Sequence, residues 1–304
     1  MLALVGPTGA GKTAVSLGVA PGLRAEIVSV DSMQVYRGMD IGTAKPSPEE
    51  RRRVPHHLID IADPGKGFSV AAFQGAARAA VDAILLRGRA ALLVGGSGLY
   101  YRAVVDDLEF PPTDSAVRRS IERGHPSELA AALRARDPDA AERIDPANVR
   151  RVVRALEVME LTSRRFSEFR SAWDRYESRY DLVAAGLLVP DDLERRITTR
   201  VDRMLDSGLI DEVRALLDRG FRSSLTASRA IAYPEIVAHL DGSLTLDEAR
   251  EQIVRNTRRY ARRQMSWFRA DPRIRWFDAS DMGRAGHEIG AYYGREVAAR
   301  TVGA

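Results

Sequence analysis

Gly6-Pro7-Thr8-Gly9-Ala10-Gly11-Lys12-Thr13 follows directly on the apolar run Leu2-Ala3-Leu4-Val5 and leads into the run from Ala14 to Ala20. The stretch fits the pattern G-x-x-x-x-G-K-[S/T], a loop that cradles phosphate between a strand and a helix. Its glycines let successive N–H groups turn inward, and the helix N-terminus adds a field that favours anions. Strand, loop and helix in this order predict an α/β fold with a P-loop NTPase-like core, a parallel sheet flanked by helices. Gly6, Thr8, Gly9, Ala10, Gly11, Lys12 and Thr13 are the expected phosphate- or diphosphate-binding positions. Lys12 can neutralise the terminal phosphate, and Thr13 can ligate a Mg2+ ion that bridges phosphates.

The bulk of the chain narrows the field. Its 304 residues suffice for a large core with an insertion. The absence of cysteine excludes disulfides and thiolate metal sites, and fits a reducing cytoplasm. No apolar run is long enough to span a membrane, and the chain enters the phosphate loop too soon to hold a signal peptide. A cytoplasmic protein without a membrane partner, acting as a monomer, is expected. Net charge is +4, and only three of the 46 basic residues, Lys12, Lys45 and Lys66, are lysine. Genomic base composition accounts for the arginine bias, and against it the lysine of the phosphate loop stands out.

Alternating strands and helices continue beyond the loop. Ala25 to Val30 reads as a second strand ending at Asp31, Val70 to Leu86 as an amphipathic helix, and Ala90 to Val94 as a short apolar strand. Gly95-Gly96-Ser97-Gly98 follows before a helix from Leu99. Thr8, Asp31 and Ser97 thus all fall at C-terminal ends of strands, where open α/β sheets carry their functional loops. Pro111-Pro112 breaks the pattern. Residues 113–175 read as a helical insertion punctuated at Gly124-His125-Pro126, Asp137-Pro138 and Asp145-Pro146. The strand pattern resumes at Leu182 to Val189. Helices follow from Asp192 with breaks near Gly208 and Gly220, then a long helix from Leu246 to Arg269. A last strand, Ile274 to Phe277, and a helix from His287 to Arg300 complete the chain. The predicted core is therefore 1–112 with 176–304, interrupted by an insertion at 113–175.

Three features bear on chemistry. Asp31 caps a turn, acts as a general base, or helps hold a metal, and Gln34 offers both a donor and an acceptor to the edge of a nucleobase. The strand from Ala90 ends in Gly95-Gly96, without the aspartate that completes a nucleotide hydrolase, which favours transfer to an organic acceptor. From Arg255 to Arg269 the chain carries six arginines and no acid, with Tyr260, Trp267 and Phe268 interleaved. Such a helix suits an RNA backbone, or is an ordinary solvated face. Arg150, Arg151 and Arg154 form a second cluster with the same two readings. His56-His57 lacks a third ligand at metal spacing, so hydrogen bonding or packing is its expected role.

The chain resembles the tRNA dimethylallyltransferase family in its bacterial form. The resemblance is carried by the phosphate loop, the run from Asp31 to Pro46, Pro55 to Asp60 and Phe68 to Phe73. Gly95 to Tyr100, Arg151 to Glu157 and Arg262 to Phe268 extend it over nearly the whole chain. It implies transfer of a dimethylallyl group from dimethylallyl diphosphate to N6 of adenosine 37 in the anticodon stem-loop of tRNAs reading codons that begin with U, with Mg2+. It implies that Asp31 abstracts the amine proton and that Ser97 orients reacting groups; on chemical grounds Lys12 can stabilise the charge that develops on the departing diphosphate. Asp31, Ser32, Met33, Gln34, Ser97, Arg150, Arg151, Arg154, Arg258, Arg262, Arg263 and Gln264 are the expected tRNA-binding residues. Ser97 stands where many members have threonine, and Ala232-Tyr233-Pro234 replaces a more usual Gly-Tyr-Lys. Leu161-Thr162-Ser163 lacks a glycine usual after the threonine. The main alternative is a P-loop kinase acting on a nucleoside or small metabolite.

Overall fold

The computed structural model describes residues 1–170, 175–224 and 226–302 and divides into two compact units, 1–105 with 178–304, and 106–177. In the first unit, apolar runs too short for helices form a parallel sheet of six strands. These are β1 (Leu2–Val5), β2 (Ala25–Ser29), β3 (His56–His57), β4 (Ala90–Gly95), β5 (Val183–Leu187) and β6 (Ile274–Phe277), in the order β3-β2-β4-β1-β5-β6. Every residue of β1 is buried, as expected of a strand covered on both faces. Leu2 and Leu4 point to one face, with Leu92, Val183 and Ala185; Ala3 and Val5 point to the other, with Leu93 and Ala184. β1 pairs with β4 on one side and β5 on the other, so strand order reverses at β1. The loop after it opens at that switch point, where α/β sheets bind ligands.

On one face, α1 (Lys12–Val19) packs with the C-terminal helix that ends the fold, and Tyr293 of that helix donates its hydroxyl to Ala3 O at 2.6 Å. On the other lie α3 (Val70–Leu86) and α4 (Gly98–Val105), α2 being the short Pro48–Arg53. The boundaries of α3 match the sequence reading, and its Ser69 hydroxyl accepts from Ala72 N–H as the N-cap. Sequence reading misses β3. Two polar histidines carry no strand signature, and only pairing of His56 and His57 with Ile27 and Val28 reveals it. Both rings are hydrogen-bonded: His56 Nδ1 to Val54 O and His57 Nε2 to Glu26, each at 2.7 Å.

The second unit consists of α5 (Ser115–Ile121), α6 (Pro126–Arg136), α7 (Pro138–Arg143) and α8 (Val149–Thr162). Pro126 and Pro138 sit in first turns, where a missing N–H costs nothing. Val152, Val153, Leu156 and Met159 of α8 pack with Leu129, Leu133 and Ile144. Glu157 is wholly buried among Arg118, Arg154 and the N–H of Asp114. Burial alone would raise its pKa, but these partners hold the carboxyl below its usual range. This unit spans 106–177, where the sequence reading places the insertion at 113–175. The chain already leaves the core after Val105, ahead of the Pro111-Pro112 signal; residues 171–174 of the expected insertion lie outside the described residues.

After β5 the core resumes with α9 (Leu193–Asp206), α10 (Leu209–Leu217), α11 (Tyr233–Leu240), α12 (Leu246–Arg269) and α13 (Met282–Val302). α12 keeps the predicted boundaries, closed at its start by a Thr245–Glu248 capping box. α13 begins several residues before the expected His287 because Asp281 accepts from the N–H groups of Gly283 and Arg284. Among the described residues no helix is long and apolar enough to cross a membrane.

Candidate active site

The C-terminal ends of β1, β2 and β4 open into a cavity of about 480 Å³ within the first unit. Thr8, Gly9, Gly11, Lys12 and Thr13 line its floor, while Gly6 and Ala10 do not reach it. Both are buried, and Ala10 N–H turns back to Pro7 O at 3.3 Å, so their backbone supports the loop from behind. Gly9 and Gly11 adopt positive φ of 81° and 89°, which lets the loop curl without a Cβ. Thr8 N–H is already taken, donating to Gln264 Oε1 at 2.8 Å.

Lys12 folds back on its own loop, donating to Gly6 O at 2.9 Å and Pro7 O at 2.7 Å. Desolvation pulls its pKa down to about 7; the Arg200 cation adds to the effect and Asp31 opposes it. An anion in the cavity would reverse this balance, so the lysine is poised to gain a proton and a partner together. Thr13 is exposed at the cavity rim.

Asp31 lines the facing wall. Its Oδ1 accepts from Met33 N–H at 2.8 Å and Gln34 N–H at 3.3 Å, so it is a turn cap as well as a carboxylate facing the cavity. The two roles are compatible, because one carboxylate has several acceptor sites. Ser32, Met33 and Gln34 also line the cavity. The Gln34 amide, expected to be open to a base, is engaged internally: Oε1 accepts from Ser29 Oγ at 2.9 Å, and Nε2 reaches Thr43 O and Ala44 O at 3.4 and 3.3 Å. Those last two bonds are long, and exchange for a better acceptor costs little.

The run from Tyr36 to Pro46 owes its shape to ions. Lys45 is buried against Asp40, Asp60 at 2.6 Å and Tyr36 O at 2.8 Å, and Arg51 holds Asp60 at 2.8 Å. On the far side the Glu212 carboxylate accepts from the N–H groups of Asp40, Ile41 and Gly42.

Other expected residues are dispersed. Ser97 does not line the cavity; its Oγ accepts weakly from Tyr100 N–H at 3.4 Å at the start of α4. Gln264 lines the cavity but is buried and engaged internally with Thr8 N–H and Gly96 O. Arg263 lines the cavity, Arg262 is exposed, and Arg258 pairs with Glu194 at 2.7 Å. That exposed pair is weak and exchangeable. In the second unit Arg150 and Arg151 are exposed, whereas Arg154 is committed to Glu157 and to the carbonyls of Pro111 and Pro112. Arg154 is therefore a structural residue of that unit.

Sequence reading misses Arg196 and Arg200, one turn apart on α9, both lining the cavity. Burial lowers Arg200's pKa and the Asp31 charge opposes the shift; Arg200, Lys12 and Asp31 all line the one cavity. In a chain so rich in arginine no local signal marks them; only the apolar stripe Ile197, Val201, Met204 shows which side of α9 faces inward. Met33, Val201, Met204, Ile231 and Ile253 give the cavity an apolar wall.

The profile of the IPP transferase family matches residues 34–271, and that of the isopentenyl transferase family matches residues 1–63. A tRNA dimethylallyltransferase of Streptomyces coelicolor is 52% identical over 91% of this chain and 89% of its own length. One from Thermobifida fusca is 50% identical over 93% of this chain and 91% of its own. Among solved structures, a tRNA isopentenylpyrophosphate transferase from Bacillus halodurans superposes with a TM-score of 0.73 and 43% identity, covering 99% of this chain and 97% of that one. A eukaryotic dimethylallyltransferase acting on tRNA superposes with a TM-score of 0.79 and 26% identity, covering 93% and 74%.

Proposed function

This chain belongs to the tRNA dimethylallyltransferase family, and from that premise we propose that its P-loop cavity transfers the dimethylallyl group of dimethylallyl diphosphate to N6 of adenosine 37 in tRNA. One observation carries the reading of the site: a single cavity gathers a phosphate loop, a facing carboxylate and an apolar wall, while the strand beside the loop ends in Gly95-Gly96 with no hydrolase aspartate. A nucleotide hydrolase has little use for that wall; an isoprenoid tail does.

The chemistry follows from the placement. The adenine amine attacks the allylic carbon as its C–O bond to diphosphate breaks, and the diphosphate leaves with the electron pair. The amine proton passes to Asp31, which faces the cavity with acceptor capacity beyond its turn bonds. Lys12, the loop N–H groups that remain free and Arg200 stabilise the charge that grows on the departing diphosphate. The apolar wall keeps water from an allylic centre that it would quench. A target base in a single-stranded anticodon loop leaves its stack at least cost.

The Thr13 hydroxyl is a hard oxygen donor on the cavity and would hold Mg2+ together with oxygens of the substrate, leaving the Asp31 carboxylate to take the proton. Among the described residues no group of three or more metal-ligating side chains forms an all-protein cage, as such an ion does not need one. Bound there, Mg2+ would supply charge neutralisation to the diphosphate. Asp31 to Gln34, Ser97, Arg150, Arg151, Arg258, Arg262 and Arg263 are proposed to meet tRNA, with the protein acting as a cytoplasmic monomer on tRNAs that read codons beginning with U.

The test is diphosphate release. With dimethylallyl diphosphate and Mg2+, release should require unmodified tRNA. Turnover of ATP in its place, with no tRNA requirement, would overturn the reading and favour a P-loop kinase.

A further inference from the structure

Gln264 of α12 is 5% exposed and sits between two loops of the cavity. Its Oε1 accepts from Thr8 N–H at 2.8 Å, and its Nε2 donates to Gly96 O at 2.8 Å. Thr8 belongs to the loop after β1, Gly96 to the loop after β4, and the two strands are neighbours in register. Gly96 precedes Ser97. One side-chain amide therefore joins the phosphate cradle to the segment carrying Ser97.

We propose that Gln264 is a positioning residue for prenyl transfer, fixing the separation of the phosphate loop and the Gly95–Ser97 loop without itself holding substrate. The proposal rests on the reading of this cavity as a prenyl-transfer site.

The side chain suits this task for chemical reasons. The bridge needs an acceptor and a donor on one rigid planar group, which an amide supplies. A glutamate would keep the acceptor for Thr8 N–H, yet present an oxygen to the Gly96 carbonyl and add negative charge beside the cradle. A methionine of similar length would leave both backbone groups unpaired. Gly96 completes the fit, since a Cβ built there would overlap Nε2. Any side chain at that position evicts the amide from its place. The bond to Gly96 O is buried and the bond from Thr8 N–H part-buried, and such geometry is held more tightly than at an exposed contact.

Reacting atoms displaced by about 1 Å cost on the order of 100-fold in rate. The experiment measures prenyl transfer by wild type, Gln264→Glu, Gln264→Met and Gly96→Ala, with tRNA affinity and melting temperature recorded for each. The expected result is a fall in kcat of about 10- to 100-fold in all three variants, with tRNA Kd within about twofold of wild type. Gly96→Ala reaches the same bridge from its other end, so failure of either Gln264 variant to fold leaves the proposal testable. Weakened tRNA binding with kcat intact at saturation would make Gln264 an RNA contact and overturn the proposal. A lower melting temperature with unchanged kcat would make the bridge purely structural and overturn it as well. Wild type without product overturns the function reading and this proposal together, whereas an active wild type with equally active variants overturns this proposal alone.

Discussion

The phenol of Tyr233 donates to Glu212 Oε1 at 2.7 Å, and the same carboxylate accepts from the N–H groups of Asp40, Ile41 and Gly42. Tyr233 is wholly buried, and burial beside this carboxylate pushes its pKa well up, so it remains a donor. One glutamate of α10 thus pins the cavity-facing loop to the C-terminal helices. Glu212→Ala is expected to cost about 3 kcal/mol, because several donors lose a charged acceptor and one is buried. Thermal unfolding checks the cost. Amide exchange should accelerate at residues 40–42 first.

Lys12 gives the site a pH dependence. In the ligand-free protein its pKa lies near 7, below the ordinary 10.5, so the folded state binds fewer protons than the unfolded state between those values. Stability therefore rises with pH across that window, and the charged lysine is a burden below it. Lys12→Met is expected to melt above wild type at pH 7 without ligand, with the gap closing toward pH 10.5. Diphosphate needs the protonated form, so its binding should take up protons and weaken as pH rises above about 7. Calorimetry in buffers of different ionisation heat measures that uptake.

Asp31→Ala is expected to lower turnover by about 100- to 10,000-fold, the range of a lost general base, and to weaken tRNA affinity far less than turnover. Quench-flow turnover and a filter-binding assay separate the two. Equal loss of binding and turnover would reduce Asp31 to the turn cap it also forms with Met33 and Gln34.

How much of this was legible in the sequence depends on the kind of signal. The phosphate loop, α3 and α12 read correctly because each has a local mark: a glycine pattern, a capping serine, a capping box with an apolar stripe. β3 did not, since a two-residue histidine strand exists only by pairing with β2. Arg154 and Gln264 look like their neighbours in arginine-rich stretches. Their roles are set by partners distant in sequence, Pro111 and Pro112 for one, Thr8 and Gly96 for the other. The same holds for Arg200, whose place on the cavity wall is decided by how α9 packs.

The unusual Ala232-Tyr233-Pro234 run has a structural account. Ala232 holds φ 84°, ψ −33°, a conformation that glycine adopts freely and alanine does not. Pro234 falls in the first turn of α11, where no N–H is missed. Ala232→Gly is expected to stabilise the fold by about 1 kcal/mol, strain relief exceeding the added unfolded-state entropy. Denaturant midpoints test this.

In the second unit, charge removal at Arg150 and Arg151 should weaken tRNA binding and flatten its salt dependence with no loss of stability. Arg154→Ala should instead cost about 2 kcal/mol, because it strips a charged partner from buried Glu157. Glu157 has a folded pKa below its ordinary 4.5, so its contribution is present above that pH and lost as pH falls through the folded value. Salt titrations of binding and acid melts of each variant distinguish the two classes of arginine.

The central claim is that this phosphate loop serves a prenyl donor and that the acceptor is an adenine of tRNA. Unmodified tRNA incubated with the protein, Mg2+ and dimethylallyl diphosphate, then digested to nucleosides and resolved by mass spectrometry, tests it in one measurement. The account predicts N6-dimethylallyladenosine, confined to the position next to the anticodon and absent with Asp31→Ala. A digest without that nucleoside, from protein that consumes ATP under the same conditions, would contradict it.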